Sequence, residues 1–191
     1  MTTLDNIDSN YIDPQDVKMM PTAMRYGLIA GLFSILLGLI TNVLDLVDPA
    51  NPSSPMSWVV FLLNWGILIG AIVMAIKYHR DEELGGYITM GRALAIGVLT
   101  VLFLGILAMV WTYIYMSFID PGMVDELIAA QVTQMESQGM SDEQIEQSMV
   151  MVKKFMTPIA ISIIGLVMNL FAGTIISAIS GGIMKKIDPM A

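Results

Sequence analysis

The sequence predicts an all-α integral membrane protein, a four-helix bundle with an extracytoplasmic helical hairpin between its third and fourth spans. Hydrophobic residues make up 55% of the chain and occur in long blocks. Each block has about 20 residues or more, the length that a helix needs to cross a bilayer. Only 14% of the residues are charged, against about 25% in an average soluble domain. These features argue against a soluble fold.

The N-terminal segment, residues 1–23, is interpreted as an acidic mobile tail, and residues 24–191 as the membrane domain. The segment lacks the basic start and apolar stretch of a cleavable signal peptide. It carries four acids, Asp5, Asp8, Asp13 and Asp16. The formal net charge of the whole chain is −8, which argues against nucleic acid as a partner because such partners need a basic surface.

Four segments qualify as membrane-spanning helices, since none contains a charged residue or an internal proline. They lie at about residues 26–44, 58–76, 93–118 and 159–184. Ser57 is predicted to cap the second span. Thr157, followed by Pro158, is predicted to cap the fourth, because threonine favours the cap and proline the first helical position.

Basic residues predict the orientation of the spans. Seven of them flank the spans on one side and two lie on the other. Because cytoplasmic loops carry an excess of lysine and arginine, both termini are expected in the cytoplasm. The richer set is Lys18, Arg25, Lys77, Arg80, Arg92, Lys185 and Lys186, and the poorer set is Lys153 and Lys154.

The segment at about residues 122–156, here called the insert, is too long for a plain connection between spans. Its apolar residues follow a helical spacing on both sides of Gly139, and Ser141 and Gln144 match a capping box. Two short amphipathic helices are therefore predicted. The loop around them holds seven acids and two bases. This charge could attract cations or dock a partner, but a solvated face above an apolar one is the favoured interpretation.

Small residues at intervals of four predict close helix packing, because they let helix backbones approach in lipid. On the fourth span the interval favours a right-handed crossing. The stripes could form the face of a homo-oligomer or pack within the same bundle, and we favour the bundle because it already offers three partners. The glycines are Gly27, Gly31, Gly38, Gly66, Gly70, Gly165, Gly173 and Gly181.

Two asparagines, Asn64 and Asn169, are candidate polar contacts inside the membrane. An unpaired amide in hydrocarbon is costly, so both are expected to face the interior of the bundle. A hydrogen bond between helices is the favoured interpretation, and a polar pathway or a ligand contact is the alternative.

No catalytic, cofactor-binding or metal-binding residue is predicted. The chain has no cysteine and a single histidine, His79, and one histidine without cysteine makes a poor zinc or iron site. The charged run at residues 77–83 is interpreted as a wet interface with local ion pairs. Nucleotide-binding, nucleophile-elbow and zinc-protease motifs are missing from the sequence, so we expect no enzyme.

Several short motifs, taken in order, resemble an uncharacterised bacterial family, domain of unknown function 4199. They are Arg-Tyr-Gly-Leu-Ile-Ala-Gly-Leu at 25–32, Lys-Tyr-His-Arg-Asp at 77–81, Gly-Gly-Tyr-Ile-Thr-Met-Gly-Arg-Ala at 85–93, Tyr-Ile-Tyr at 113–115, Ile-Asp-Pro at 119–121, Gly-Met-Ser-Asp-Glu-Gln at 139–144 and Lys-Lys at 185–186. The resemblance covers nearly the whole chain after the N-terminal tail. It implies a four-span bacterial inner-membrane protein with an outer helical insert, and it implies no activity.

The hypothesis that follows is a non-enzymatic structural or interaction protein of the bacterial inner membrane. Membrane lipid would surround the spans, and the insert would be the contact surface for a protein partner. The alternative is a small transporter or channel for a polar or cationic solute, suggested by Asn64, Asn169 and the acidic outer loop.

Overall fold

The computed structural model describes residues 16–48, 51 and 53–186. Most of the predicted acidic tail, residues 1–15, lies outside this part of the chain. The described residues form six α-helices and two π-helical turns, which confirms the all-α bundle. The helices are α1 (Met20–Val43), α2 (Pro55–Tyr78), α3 (Met90–Ile114), α4 (Met123–Ser137), α5 (Asp142–Phe155) and α6 (Pro158–Met184).

The π-helical turn His79–Glu83 extends α2, and the turn Tyr115–Ile119 extends α3. With these extensions, α1, α2, α3 and α6 are long and apolar enough to cross a membrane. The protein is therefore a multi-pass membrane protein, with α4 and α5 inserted between the last two spans.

Helix ends follow capping chemistry, and the first three helices begin three to six residues before the predicted spans. The first helix begins at Met20 because Pro21 suits the first turn of a helix. The second begins at Pro55, and the hydroxyl of Ser54, not Ser57, caps it by accepting a 3.1 Å bond from the Ser57 amide. The prediction of Ser57 as the cap was wrong because Pro55 already takes the first helical position. The Thr157 cap is confirmed by a 3.3 Å bond from Ala160.

The four spans run in alternating directions. The starts of α1 and α3 and the ends of α2 and α6 meet at one end of the bundle, here called the terminal end. At this end, two backbone bonds of 2.9 and 3.0 Å pair Ile88, in the segment before α3, with Lys186, which follows the end of α6. The opposite end, which carries α4 and α5, is called the insert end.

The core lies toward the terminal end and is built around α3, which packs mainly against α6 and α1. The side chains of Ile72, Ile76, Ile96 and Val101 are fully buried there. Buried residues of α2 all lie in its second half, from Leu68 onward. The first half of α2 exposes nearly all of its large apolar side chains. The second helix therefore packs at the terminal end and diverges from the bundle at the insert end.

The insert is a helical hairpin in which α4 and α5 pack on each other. Gly139 turns the chain between them with a φ of +78°, a conformation that glycine adopts without a steric penalty. The predicted capping box is confirmed, because Ser141 and Gln144 bond each other's backbone amides. Ile145 and Met149 are the buried residues of α5.

Candidate ligand-binding cavity

A cavity of about 570 Å³ occupies the space where α2 diverges from the other spans. All four spans line it at the insert end, and Met123 at the start of α4 contributes to its wall. The cavity therefore follows from the packing of α2, which reaches the core only from Leu68 onward. Its volume lies within the range of roughly 300–1,000 Å³ that is usual for small-molecule sites.

The lining combines polar, aromatic and apolar side chains, and the described lining carries no ionisable acid or base except the Tyr115 phenol. Apolar residues such as Leu68, Leu104 and Met168 make up most of the surface. The polar members carry hydroxyl or amide groups: Ser34, Asn42, Asn64, Thr112, Tyr115 and Asn169. Such a wall can donate and accept hydrogen bonds but cannot balance a full charge.

The two asparagines predicted as intramembrane contacts both line this cavity. The Asn64 amide donates to the Val60 carbonyl at 3.0 Å, and the Asn169 amide donates to the Gly165 carbonyl at 3.0 Å. Each bond stays within one helix, and no bond from either amide to another helix is found in the part of the chain described. Each side-chain oxygen is therefore left to accept a bond from a ligand.

A second polar cluster lies at the terminal end, around the buried ring of His79. The His79 Nε2 accepts a 2.9 Å bond from Arg92 Nε, and His79 Nδ1 contacts the carboxylate of Glu83. The other oxygen of Glu83 accepts a 2.6 Å bond from the Thr22 hydroxyl. Arg92 also donates to the backbone carbonyl of Val17. The cluster thus ties α1, the π-helical turn and α3 together.

The geometry of the His79 cluster does not favour general-base catalysis or metal binding. Both ring nitrogens of His79 are engaged, so neither is available as a general base. No group of three histidine, cysteine or carboxylate side chains that could hold a metal ion occurs among the described residues. We therefore treat the His79 cluster as a helix clamp and the cavity as the candidate functional site.

A family model matches residues 25–186 of the chain. The chain belongs to the family described as Protein of unknown function (DUF4199). The part shared with the DUF4199 family includes all residues that line the cavity and all of the His79 cluster except Val17 and Thr22. No curated protein and no solved structure matches this DUF4199 member.

The glycines predicted to pack helices fall into two groups in this DUF4199 protein. In the first group, a Cβ added to the glycine would lie very close to a neighbouring helix. The distance would be 2.8 Å from Gly27 to Phe103 Cβ and 2.5 Å from Gly173 to Val101. At Gly181 it would be 3.2 Å to Ala93. Gly31 faces Leu107 just as closely. A Cβ would meet no described atom within 4 Å at the other four, Gly38, Gly66, Gly70 and Gly165.

Close backbone contacts are therefore concentrated on α3, which packs against α1 on one side and against α6 on the other. Of the four open glycines, Gly38 and Gly165 line the cavity. Two further glycines of the third span also make close contacts: Gly97 faces Ser177, and Gly105 faces Leu166.

The sequence interpretation of residues 77–83 as a wet interface holds only for part of the run. Arg80 and Asp81 form a partly exposed ion pair at 2.6 Å. By contrast, His79 is fully buried and Glu83 points toward Thr22. The spacing of four between His79 and Glu83 places them on one face, but nothing local in the sequence identifies Arg92 as their partner.

Proposed function

We propose that this protein is a non-enzymatic membrane protein whose cavity binds an uncharged amphiphile, a molecule with an apolar chain and a neutral hydrogen-bonding head. The observation that carries the proposal is the composition of the cavity wall, to which all four spans contribute. Neutral polar side chains from α1, α2, α3 and α6 face the same space as a larger apolar surface.

The neutral lining favours a neutral ligand. Moving an ion out of water without a counter-charge costs far more than an amide or hydroxyl returns. Asn64 and Asn169 each keep a side-chain oxygen for a donor on the ligand, and Trp65 and Trp111 provide flat apolar contacts. A cationic solute, considered from the sequence, has less support because the acidic residues of the insert are not part of the described lining.

The position of the cavity also favours an amphiphile. Asn64 and Trp65 lie on the exposed first half of α2, where Phe61 and Leu62 face the surroundings of the bundle. In a bilayer those surroundings are acyl chains. A ligand can therefore place its head against the asparagines while its chain extends among the lipids.

The proposal places the protein in the bacterial inner membrane with both termini in the cytoplasm. Support comes from the basic residues, which gather at the terminal end, whereas Lys153 and Lys154 stand on the insert. With that orientation the cavity faces the extracytoplasmic half of the bilayer.

The test uses Trp111 as a reporter within the cavity. A Trp58→Phe, Trp65→Phe variant in lipid nanodiscs keeps Trp111 as the sole tryptophan, since the chain has three. It is titrated with a brominated monoacylglycerol, a brominated fatty acid and a brominated alkyltrimethylammonium. We expect saturable quenching by the neutral probe and only linear, non-specific quenching by the two charged probes.

Asn64→Leu and Asn169→Leu, introduced together, are expected to remove the saturable component. The fold should survive, because each amide bonds only within its own helix. Thr174→Val is the matched control, since Thr174 bonds within α6 at 2.7 Å and is not among the lining residues. Equal quenching by all three probes, or saturation that persists in the double variant, overturns the proposal.

The geometry gives less support to transport of a polar solute through the same cavity. The terminal end is closed by fully buried side chains, including Ile72, Ile76 and Val101. A transport cycle would have to open this core. Flux of a neutral polyol into liposomes above protein-free leak, and its loss in the Asn64→Leu, Asn169→Leu variant, would favour transport over simple binding.

Contact with a protein partner through the insert is a second candidate function. One observation favours it: α4 buries none of its residues, although it carries apolar side chains at helical spacing. Its exposed Asp125, Glu126 and Glu136 suit a partner with a basic surface.

Deleting residues 124–155 should leave membrane insertion intact and remove a partner that co-purifies with the full chain. Retention of that partner by the deletion variant would place the contact elsewhere.

A further inference from the structure

The two halves of α5 have different surfaces. The first half, which begins at Asp142, carries exposed Glu143 and Glu146. The last two turns expose apolar side chains: Val150, Met151 and Phe155 are 63%, 67% and 57% exposed, respectively. The exposed cations Lys153 and Lys154 lie between them. An acidic, hydrated half is thus followed by an apolar half with two positive charges.

The exposed apolar residues are not part of the packing within the hairpin. The face of α5 that packs is formed by Ile145 and Met149, four residues apart. Val150 and Met151 project away from that face, as their exposure shows. A helix end with apolar residues on its outward side is unusual in water and is typical of a helix at a membrane interface.

The connection to α6 brings this helix end close to the membrane. Phe155 precedes Pro158, the first residue of α6, by three residues. Three residues span at most about 10 Å. The first turns of α6 expose Ile159 and Ile163, which face lipid in a spanning helix. Phe155 therefore lies near the headgroup layer, which occupies roughly 5–8 Å on each side of the hydrocarbon core.

We propose that residues 150–155 form an interfacial segment that lies in the headgroup layer of an anionic membrane. The side chains of Val150, Met151 and Phe155 enter the boundary of the acyl chains. Lys153 and Lys154 contact lipid phosphates, because a membrane surface with anionic lipids attracts nearby lysines. The acidic first half of α5 is repelled by the same phosphates, so the Gly139 end of the hairpin points into water.

The chain has no cysteine, so single cysteines can be introduced and labelled without a background. Met151→Cys and Glu143→Cys, both on exposed positions of α5, are labelled with an environment-sensitive fluorophore. The full-length variants are reconstituted in vesicles of phosphatidylcholine and phosphatidylglycerol that contain spin-labelled lipid. We expect blue-shifted emission and strong quenching at position 151, and water-like emission with weak quenching at 143.

The lipid charge is tested with the same Met151→Cys reporter. Spin-labelled phosphatidylglycerol should quench it about twofold more than spin-labelled phosphatidylcholine at equal mole fraction. Adding Lys153→Gln and Lys154→Gln should abolish that difference while emission stays blue-shifted. A preference for the anionic lipid that persists without the lysines overturns the phosphate contact. Water-like emission at position 151 overturns the interfacial segment altogether.

Discussion

Arg92 on α3 donates a hydrogen bond from its Nε to the Nε2 of His79, across 2.9 Å. Because this ring nitrogen accepts, the imidazole carries its proton on Nδ1, which faces the carboxylate of Glu83. A neutral ring with no exposed surface therefore bridges a cation and an anion. The connection between α2 and α3 is fixed by this chain of bonds as well as by apolar packing.

Replacing His79 by alanine should destabilise the protein strongly. The change removes the imidazole ring that Arg92 Nε and one oxygen of Glu83 both contact. Arg92 and Glu83 are only partly buried, but the fully buried His79 ring joins them, so the change removes two hydrogen bonds to charged groups. At roughly 1.5 kcal/mol each, their loss should lower the free energy of unfolding by about 3 kcal/mol. Thermal unfolding of the purified variant in detergent, followed by circular dichroism, measures the change.

Asp81→Asn is the matched control for His79→Ala. It removes an ion pair from the same π-helical turn, but that pair with Arg80 is partly exposed. Exposed pairs contribute roughly 0–1 kcal/mol, so the unfolding temperature should change little. Equal losses in the two variants would contradict the role assigned to the His79 cluster.

Replacing Arg92 by lysine should loosen the segment before α1. Arg92 holds His79 with one nitrogen and the carbonyl of Val17 with another. A lysine keeps the charge but cannot present two donors in that fixed geometry. We expect amide hydrogen exchange at residues 17–23 to quicken about tenfold, the equivalent of one lost charge-assisted bond. Lys18→Gln, at an exposed position of the same segment, should leave the exchange unchanged.

The spans could be predicted from the sequence because the requirement is local: a long, uncharged, apolar stretch has few other structures available in lipid. The caps at Thr157 and Ser141 could be predicted for the same reason, since each bond joins residues three apart. Which neighbour each helix face meets depends on the packing of distant segments and not on nearby residues. Gly27 with Gly31 and Gly66 with Gly70 have the same spacing, yet only the first pair meets a neighbouring helix.

The cavity and the His79 cluster could not be predicted because both depend on how whole helices are placed. Asn64 and Asn169 were identified as unusual residues in apolar spans. That they share a cavity depends on the divergence of α2 at the insert end. His79 lies in a charged run that resembles a hydrated loop, and its burial requires the π-helical turn to fold onto the start of α3.

Replacing Gly173 by alanine should lower stability through a clash on α3. The new methyl group would lie 2.5 Å from Val101 Cγ2, and Val101 is fully buried and cannot move aside. Overpacking of this kind costs about 1–3 kcal/mol, which for a chain of this length corresponds to a fall of about 2–12 °C in the unfolding temperature.

Gly182→Ala on the same helix is the control for Gly173→Ala, because its Cβ would meet no described atom within 4 Å. Alanine favours a helix over glycine by up to about 1 kcal/mol, so this variant should be as stable as the parent or slightly more so. If Gly173→Ala unfolds at the same temperature as Gly182→Ala, α3 and α6 do not pack as closely as described.

Replacing Gly38 by leucine should fill the cavity without disturbing the packed end of the bundle. Gly38 lines the cavity, and a Cβ there would meet no described atom within 4 Å. Leucine also favours a helix over glycine, so the unfolding temperature should stay the same or rise. Its side chain takes up the space that the amphiphile needs, so the saturable quenching of Trp111 by brominated monoacylglycerol should be lost.

Gly66→Leu separates the effect of occupying the cavity from that of adding a leucine to a span. Gly66 lies on α2 in equally open surroundings, but it does not line the cavity. This variant should bind the probe as the parent does. Equal binding by both variants would mean that the ligand sits elsewhere. A marked fall in the unfolding temperature of Gly38→Leu alone would mean that the space beside Gly38 is already filled, which contradicts a cavity open to a ligand.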